Sequence, residues 1–262
     1  MPFDYKNIVV IGATSGIGKA LAEALVNIPS QPTVIAVGRR EDRLKALEQS
    51  SSGKIKGFVA DVGTAKKAEE FVQRLLKEYP QVDAVIVNAG VQRMQDWANP
   101  ASVNLDALDQ EFEQNYSVVL HLSKHILTHF KALNKGAFIT VTSGLAAVPK
   151  ADTANYCATK AAVRSLTLSL RVSYNDTPIS IREIAPPLVE SELHDEQGTT
   201  EALRNFWVPL NVYIPYVVKQ LVETDNAEIT YGFSERGYSK FENGKFDLMV
   251  QISKQGVPKM DK

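Results

Sequence analysis

Tyr156 and Lys160 stand four residues apart in the stretch Tyr156-Cys157-Ala158-Thr159-Lys160. On a helix that spacing puts both side chains on one face. A phenol beside an ammonium group is a candidate acid–base pair. The positive charge favours phenolate and so is expected to lower the phenol's pKa toward neutrality, where a general acid or base works best. A second candidate is the run Gly12-Ala13-Thr14-Ser15-Gly16-Ile17-Gly18, directly after the apolar Asn7-Ile8-Val9-Val10-Ile11 and directly before Lys19 to Leu25, a good helix former. Strand, glycine-rich turn and helix together bind phosphate: the glycines admit close backbone approach, and the helix N-terminus supplies N–H groups and partial positive charge. A third is Ser143, at the end of the apolar run 136–142, which either points its hydroxyl at a ligand or caps its own turn.

These groups need elements to hold them. Apolar runs at 7–11, 33–37, 54–60, 82–87, 136–142 and 179–184 read as strands, and 227–231 is a candidate seventh. Helical segments alternate with them at 19–25, 41–50, 65–79, within 103–133, from about 154 toward Asn175, and at 211–223. Asp152 or Thr153 is the expected cap of the helix that carries Tyr156. The alternation predicts an α/β fold, a single-domain, Rossmann-type, doubly wound parallel sheet of about seven strands with helices on both faces. Ligands of such sheets sit at the C-terminal strand ends. Asp61-Val62, Asn88-Ala89-Gly90 and Ser143-Gly144 all fall there. Residues 192–209, polar with the apolar anchors Leu193, Leu203, Phe206 and Trp207, read as a substrate lid on one domain spanning 1–262.

The end of the second strand selects the cofactor. An acidic residue there would bond a ribose 2'-hydroxyl and repel a 2'-phosphate. This chain has Gly38-Arg39-Arg40, and arginine grips phosphate through charge-assisted bonds. NADP(H) is therefore expected over NAD(H). His121, His125 and His129 follow one another at successive helical turns. Three turns spread too far for one ion, so a packing or subunit-contact face is expected, and no metal.

Composition is that of a globular protein, 44% hydrophobic and 23% charged with formal net charge -1. No overall field draws it to nucleic acid or an anionic membrane. Cys157 is the only cysteine, so no intrachain disulfide forms. No apolar leader opens the chain, no run is long enough to cross a bilayer, and the last four residues match neither a prenylation nor a peroxisomal signal. A cytoplasmic protein is the expectation.

Taken together, Gly12-x-x-x-Gly16-x-Gly18, Asn88-Ala89-Gly90, Ser143 and Tyr156-x-x-x-Lys160 closely resemble the motifs of the short-chain dehydrogenase/reductase family, from about Lys6 to Ser191 and more loosely to Tyr231. The resemblance implies that Gly12, Thr14, Ser15, Gly16, Ile17 and Gly18 form the pyrophosphate turn. It puts Ser15 and Arg39 at the 2'-phosphate, where the residue reading adds Arg40, Asp61 and Val62 at the adenine, Asn88, Ala89 and Gly90 along the cofactor, and Val189 and Ser191 at the carboxamide. Ser143 would polarise a carbonyl and Tyr156 would exchange its proton. Lys160 would bind the nicotinamide ribose, and Asn115 would kink the long helix and support a water relay. Ile11, Val87 and Pro187 depart from the family pattern. Chain length and the stretch Gly232 to Gly237 are similar to fungal benzil reductase- and sepiapterin reductase-like carbonyl reductases.

The implied activity is an NADPH-dependent reduction of a ketone, diketone or aldehyde. Alternatives are an NAD-linked alcohol dehydrogenase working oxidatively, or a non-catalytic NADP-binding regulator. Leu145, Pro187, Leu188, Phe206 and Trp207 are candidates for an apolar substrate wall, and a homodimer or homotetramer is expected.

Overall fold

A computed structural model describes residues 3–254. Residues 1–2 and 255–262, on which the expectations about leader and C-terminal signals partly rest, lie outside the described residues. Among the described residues seven strands form one sheet in the order β3-β2-β1-β4-β5-β6-β7, all neighbours parallel. They are β1 (Asn7–Ile11), β2 (Thr33–Gly38), β3 (Ile55–Val59), β4 (Ala84–Val87), β5 (Gly136–Val141), β6 (Ile179–Ala185) and β7 (Glu228–Thr230). The expected doubly wound α/β architecture is the one found.

The pleat explains why the central strands are apolar throughout. Successive residues point to opposite faces, and both faces are covered. Ile8 and Val10 join one core with Leu21 and Leu25 of α1 (Gly16–Leu25), Leu44 and Leu47 of α2 (Glu41–Ser50) and Val217 of α8 (Leu210–Glu223). Val9 and Ile11 join the other with Phe71 and Leu75 of α3 (Ala65–Glu78), Leu122 and Ile126 of α5 (Val118–Leu133) and Val163 of α6 (Ala154–Ser173).

The strand order reverses between β1 and β4, which pair in register from Ile8↔Ala84 to Ile11↔Val87. A crevice opens beyond the carboxyl ends of the strands at such a switch point.

Three departures matter for the site. The helical stretch expected within 103–133 is not continuous. α4 (Leu105–Phe112) passes into a wide turn of π geometry, Glu113–Ser117, before α5 begins. Such turns free a backbone carbonyl and often mark functional sites. The expected cap of α6 is absent: Thr153 holds the cap position without a capping side-chain bond, its Oγ1 lying 3.8 Å from Cys157 Sγ. Asp152 pairs instead with Lys150. Finally, the C-terminal region gives two helices that the sequence did not signal, α9 (Phe233–Phe241) and α10 (Lys245–Lys254). Within 192–209 the chain forms a short 3-10 turn, Glu192–Gln197, and α7 (Thr200–Leu203). No helix among the described residues is long and apolar enough to cross a membrane.

Candidate active site

The crevice is a cleft of about 970 Å³. The turn after β1 forms one wall. Gly12 has φ +86°, and a Cβ there would lie 2.8 Å from the backbone of Ala89, so only glycine fits. Asn88 Nδ2 donates to Gly12 O at 3.1 Å, and the N–H groups of Asn88 and Ala89 both donate to Ile11 O. These bonds brace the turn although Ile11 departs from the family residue. α1 then starts at Gly16, with Gly18 packed against Gly12 and no side chain capping its first amides. Thr14, Ser15, Gly16 and Ile17 line the cleft. The free amides and glycine cradle fit a pyrophosphate.

At the end of β2 the two expected arginines behave differently. Arg39 lines the cleft and is exposed. Arg40 reaches across to the turn: Nε and Nη2 donate to Thr14 Oγ1 at 3.0 and 2.8 Å, and Nη2 donates to Ser15 Oγ at 2.8 Å. Arg43, one turn further along α2, donates to Thr14 O at 3.2 Å. Arg43 was not expected here, although its three-residue spacing from Arg40 would have placed it on the same helix face. Further along the wall, Asp61 accepts from Gly63 N at 2.9 Å and pairs with Lys67, which holds its carboxyl below the usual carboxylate range. Val62, Gly90, Val189 and Ser191 also line the cleft.

At the far end of the cleft Ser143, Tyr156, Lys160 and Asn115 come together. Ser143 lies two residues beyond β5, and its Oγ accepts from Leu145 N at 3.1 Å, so the serine both caps its turn and lines the cleft. Tyr156 lines the same end of the cleft. Lys160 Nζ lies 5.6 Å from the Tyr156 ring centroid and donates to Val141 O at 3.0 Å. Asn115 sits in the wide turn, its side chain bonded to Val91 and to Thr159 Oγ1. The nearest atoms to a Cβ placed on Gly90 are Asn115 Oδ1 and Lys160 Nζ, so that glycine keeps the two groups in one small space.

The electrostatics correct one expectation. Tyr156 is only 6% exposed, and burial pushes its phenol well above the ordinary value, the nearby Ser143 hydroxyl offsetting only part of this. Lys160, 4% exposed, is itself depressed by burial to about 8, with the Glu111 carboxylate opposing the shift. The ammonium group therefore does not make the tyrosine acidic in this geometry, because both groups have left water. The phenol is neutral at physiological pH, ready to give a proton.

Several residues at the site had no signal in the sequence. Glu111 of α4 is fully buried and accepts from Asn155 Nδ2 and Arg93 N, both at 2.7 Å, and burial raises its carboxyl. His194 is buried in the cleft lining, and burial lowers its imidazole. Of the proposed apolar wall, Leu145, Pro187, Leu188 and Phe206 line the cleft, whereas Trp207 faces a separate depression bounded by Ala20 and Leu47. Phe206 is 76% exposed and so does not pack the segment onto the core. The three helix histidines do not converge: His129 Nε2 lies 2.9 Å from Val82 O, and His125 Nε2 lies 3.8 Å from Glu69 on α3. Among the described residues no three His, Cys, Asp or Glu side chains gather as a metal site. Cys157 is buried beside Lys150, a packed thiol.

Residues 6–202 match the family model described as short chain dehydrogenase, and the chain belongs to that family of oxidoreductases. It is 32% identical over 223 residues to the uncharacterized oxidoreductase DltE of Bacillus subtilis, covering 85% of this chain and 87% of that one. It is 30% identical over 192 residues to the NADP-dependent 3-hydroxy acid dehydrogenase of Schizosaccharomyces pombe, covering 72% and 73% of the two chains. Among solved structures, a serine dehydrogenase complexed with NADP+ superposes with TM-score 0.76 at 23% identity, over 86% of this chain and 94% of that one. A short-chain dehydrogenase from Sphingobium yanoikuyae in complex with NADPH gives TM-score 0.78 at 17% identity over 98% of both.

Proposed function

We propose that this oxidoreductase is an NADPH-dependent carbonyl reductase that acts on a ketone, diketone or aldehyde. The observation that carries the reading is the meeting of Ser143, Tyr156 and Lys160 in the lining of one cleft, with the phenol kept neutral by burial. A neutral phenol is a proton donor. Reduction needs a donor at the carbonyl oxygen, and a neutral phenol serves as one; the same groups run in reverse oxidise an alcohol, so cofactor preference is what separates reduction from the oxidative alternative.

NADPH, when bound, supplies the hydride. Gly12 and Gly16 to Gly18, with the first amides of α1, would hold the pyrophosphate. Ser15, Arg39, Arg40 and Arg43 would meet the 2'-phosphate, Asp61 and Val62 the adenine, and Asn88, Ala89, Gly90, Val189 and Ser191 the remainder. Lys160 would bond the ribose hydroxyls. Ser143 would donate to the substrate oxygen as negative charge develops there, the position at which stabilisation lowers the barrier. Tyr156 then protonates that oxygen. Asn115, in its wide turn, would support water that returns a proton to Lys160 and Tyr156.

The 192–209 segment would act as a lid on the single domain, with Phe206 placed to fold over substrate. Leu145, Leu188 and Phe206 suit an aromatic or hydrophobic carbonyl, while His194 and Gln92 add polar groups to the same lining. The relatives that are 3-hydroxy acid dehydrogenases make 3-oxo acids a second class to include. Exposed Leu105, Phe112 and Leu120 along α4 and α5 support a homodimer or homotetramer, and the absence of cysteine pairs suits a cytoplasmic enzyme. The test is NADPH oxidation with aromatic ketones, diketones, aldehydes and 3-oxo acids. Turnover of at least one class is expected. Tight NADPH binding with no turnover of any would favour the non-catalytic alternative.

A further inference from the structure

Glu192, the first residue of the 192–209 segment, is bonded into the arginine cluster at the far side of the cleft. Its Oε2 accepts from Arg40 Nη1 at 2.7 Å. Arg43 Nη1 donates to both of its oxygens, at 2.6 and 2.8 Å. Partial burial pushes this carboxyl up, but the bonds from Arg40 and Arg43 outweigh that and hold it below the usual carboxylate range. The same Arg40 guanidinium carries Thr14 Oγ1 and Ser15 Oγ on its other edge. Glu192 therefore takes an anion's place among the groups that would receive a ribose phosphate, and it comes from a segment about 150 residues away in sequence.

From this geometry we infer that Glu192 is an internal competitor for the 2'-phosphate of NADP(H). A carboxylate offers two acceptor oxygens and one charge. A phosphate offers three oxygens and nearly two charges. When the phosphate arrives it takes Arg40 and Arg43 from the carboxylate, and the tie between α2 and residue 192 is released. A 2'-hydroxyl cannot displace the carboxylate, so NAD(H) leaves the tie in place. Glu192 thereby lowers affinity for the phosphorylated cofactor while making the start of the segment over the cleft respond to it. Both ion pairs are about 40% exposed, so the competition is modest, about three- to tenfold in affinity.

The inference rests on the reading that the arginines meet the 2'-phosphate, and the test separates the two. Calorimetry with adenosine 2',5'-bisphosphate and with 5'-ADP is run on the parent protein, on Glu192→Gln and Glu192→Ala, and on Arg40→Ala and Arg43→Ala. Both Glu192 variants are expected to bind the bisphosphate about three- to tenfold more tightly, with 5'-ADP little changed. In the parent, hydrogen exchange across 192–203 is expected to speed up with the bisphosphate and not with 5'-ADP. If the Glu192 variants bind the bisphosphate equally or more weakly, Glu192 supports the arginines rather than competing for them, and the inference is overturned. If neither arginine variant changes discrimination between the two nucleotides, the arginine reading itself falls.

Discussion

Asn115 pairs with the backbone of Val91 in the way a neighbouring strand would: Oδ1 accepts from Val91 N at 2.9 Å and Nδ2 donates to Val91 O at 2.8 Å. Val91 follows Gly90 in the loop after β4, and both line the cleft. One side chain therefore fixes both the wide turn between α4 and α5 and the loop after β4. Asn115→Ala leaves the part-buried amide and carbonyl of Val91 without their side-chain partner. A lost hydrogen bond is worth about 0.5–1.5 kcal/mol, so denaturant unfolding is expected to show a loss of about 1–3 kcal/mol, with turnover reduced more than NADPH affinity.

Beneath the serine lies a buried ionic network. Glu183 on β6 is fully buried and accepts from Arg164 of α6, from Thr142 Oγ1 and from Tyr238 Oη at 2.9 Å. Arg164 sits one helical turn beyond Lys160, and Tyr238 Oη also lies 3.4 Å from Ser143 O. Removing Arg164 strands the Glu183 carboxylate away from water, whereas removing Glu183 leaves Arg164 its pairs with Glu242 and Glu228. Arg164→Met is expected to cost about 3–5 kcal/mol, and Glu183→Leu less. The double variant Arg164→Met with Glu183→Leu should recover part of the Arg164→Met loss, as read by chemical denaturation.

Lys160 predicts a pH dependence. Its folded-state value is depressed from 10.5 to about 8 by burial. Below about 8 the buried ammonium is present in the folded protein and its desolvation opposes folding. Above about 8 the folded protein has released this proton while the unfolded chain keeps it up to about 10.5, so this group's contribution to stability rises with pH across that window. The difference between the parent and Lys160→Met unfolding curves isolates it. Binding follows the opposite sense: NADPH affinity is expected to fall as pH rises through about 8 in the parent and not in Lys160→Met, because the ribose loses its charged donor.

Cofactor choice should depend on Arg40 more than on Arg39, because Arg40 is the one bonded to Thr14 and Ser15. Charge-assisted bonds to phosphate are worth about 1.5–3 kcal/mol. Arg40→Ala is expected to cut the NADPH to NADH affinity ratio about tenfold or more, and Arg39→Ala by less, measured by fluorescence titration of both cofactors.

The parts of the site that were legible in the sequence are those fixed by short spacings. Tyr156 and Lys160 share a helix face, and the glycine turn, Asn88 and Ser143 all follow apolar strands, so local pattern places each at the same sheet end. Glu111, Glu192 and Tyr238 act across dozens of residues of chain, and nothing next to them in sequence signals a partner. The direction of the Tyr156 shift escapes the sequence for the same reason: spacing reveals the neighbouring charge, but burial is a property of the packed fold. Trp207 shows a further limit, since one residue's difference along the segment sends Phe206 to the cleft and Trp207 to the other side. Residue type alone points to Thr153 as a cap, yet its hydroxyl turns toward Cys157. α9 carries Gly237 in its interior, and its helical pattern is too weak to stand out before packing against Gly144 and Val148 is known.

The central claim is that Tyr156 gives the proton to a carbonyl oxygen next to a bound nicotinamide. Tyr156→Phe keeps the buried ring and removes only the hydroxyl. Its single-turnover rate of NADPH oxidation, on the carbonyl that the parent reduces fastest, is the most direct measurement. Loss of positioned acid catalysis predicts a fall of about 100-fold or more, with NADPH affinity within about twofold of the parent, since the pyrophosphate turn and the arginines are untouched. A Tyr156→Phe enzyme that oxidises NADPH at the parent rate would contradict the account.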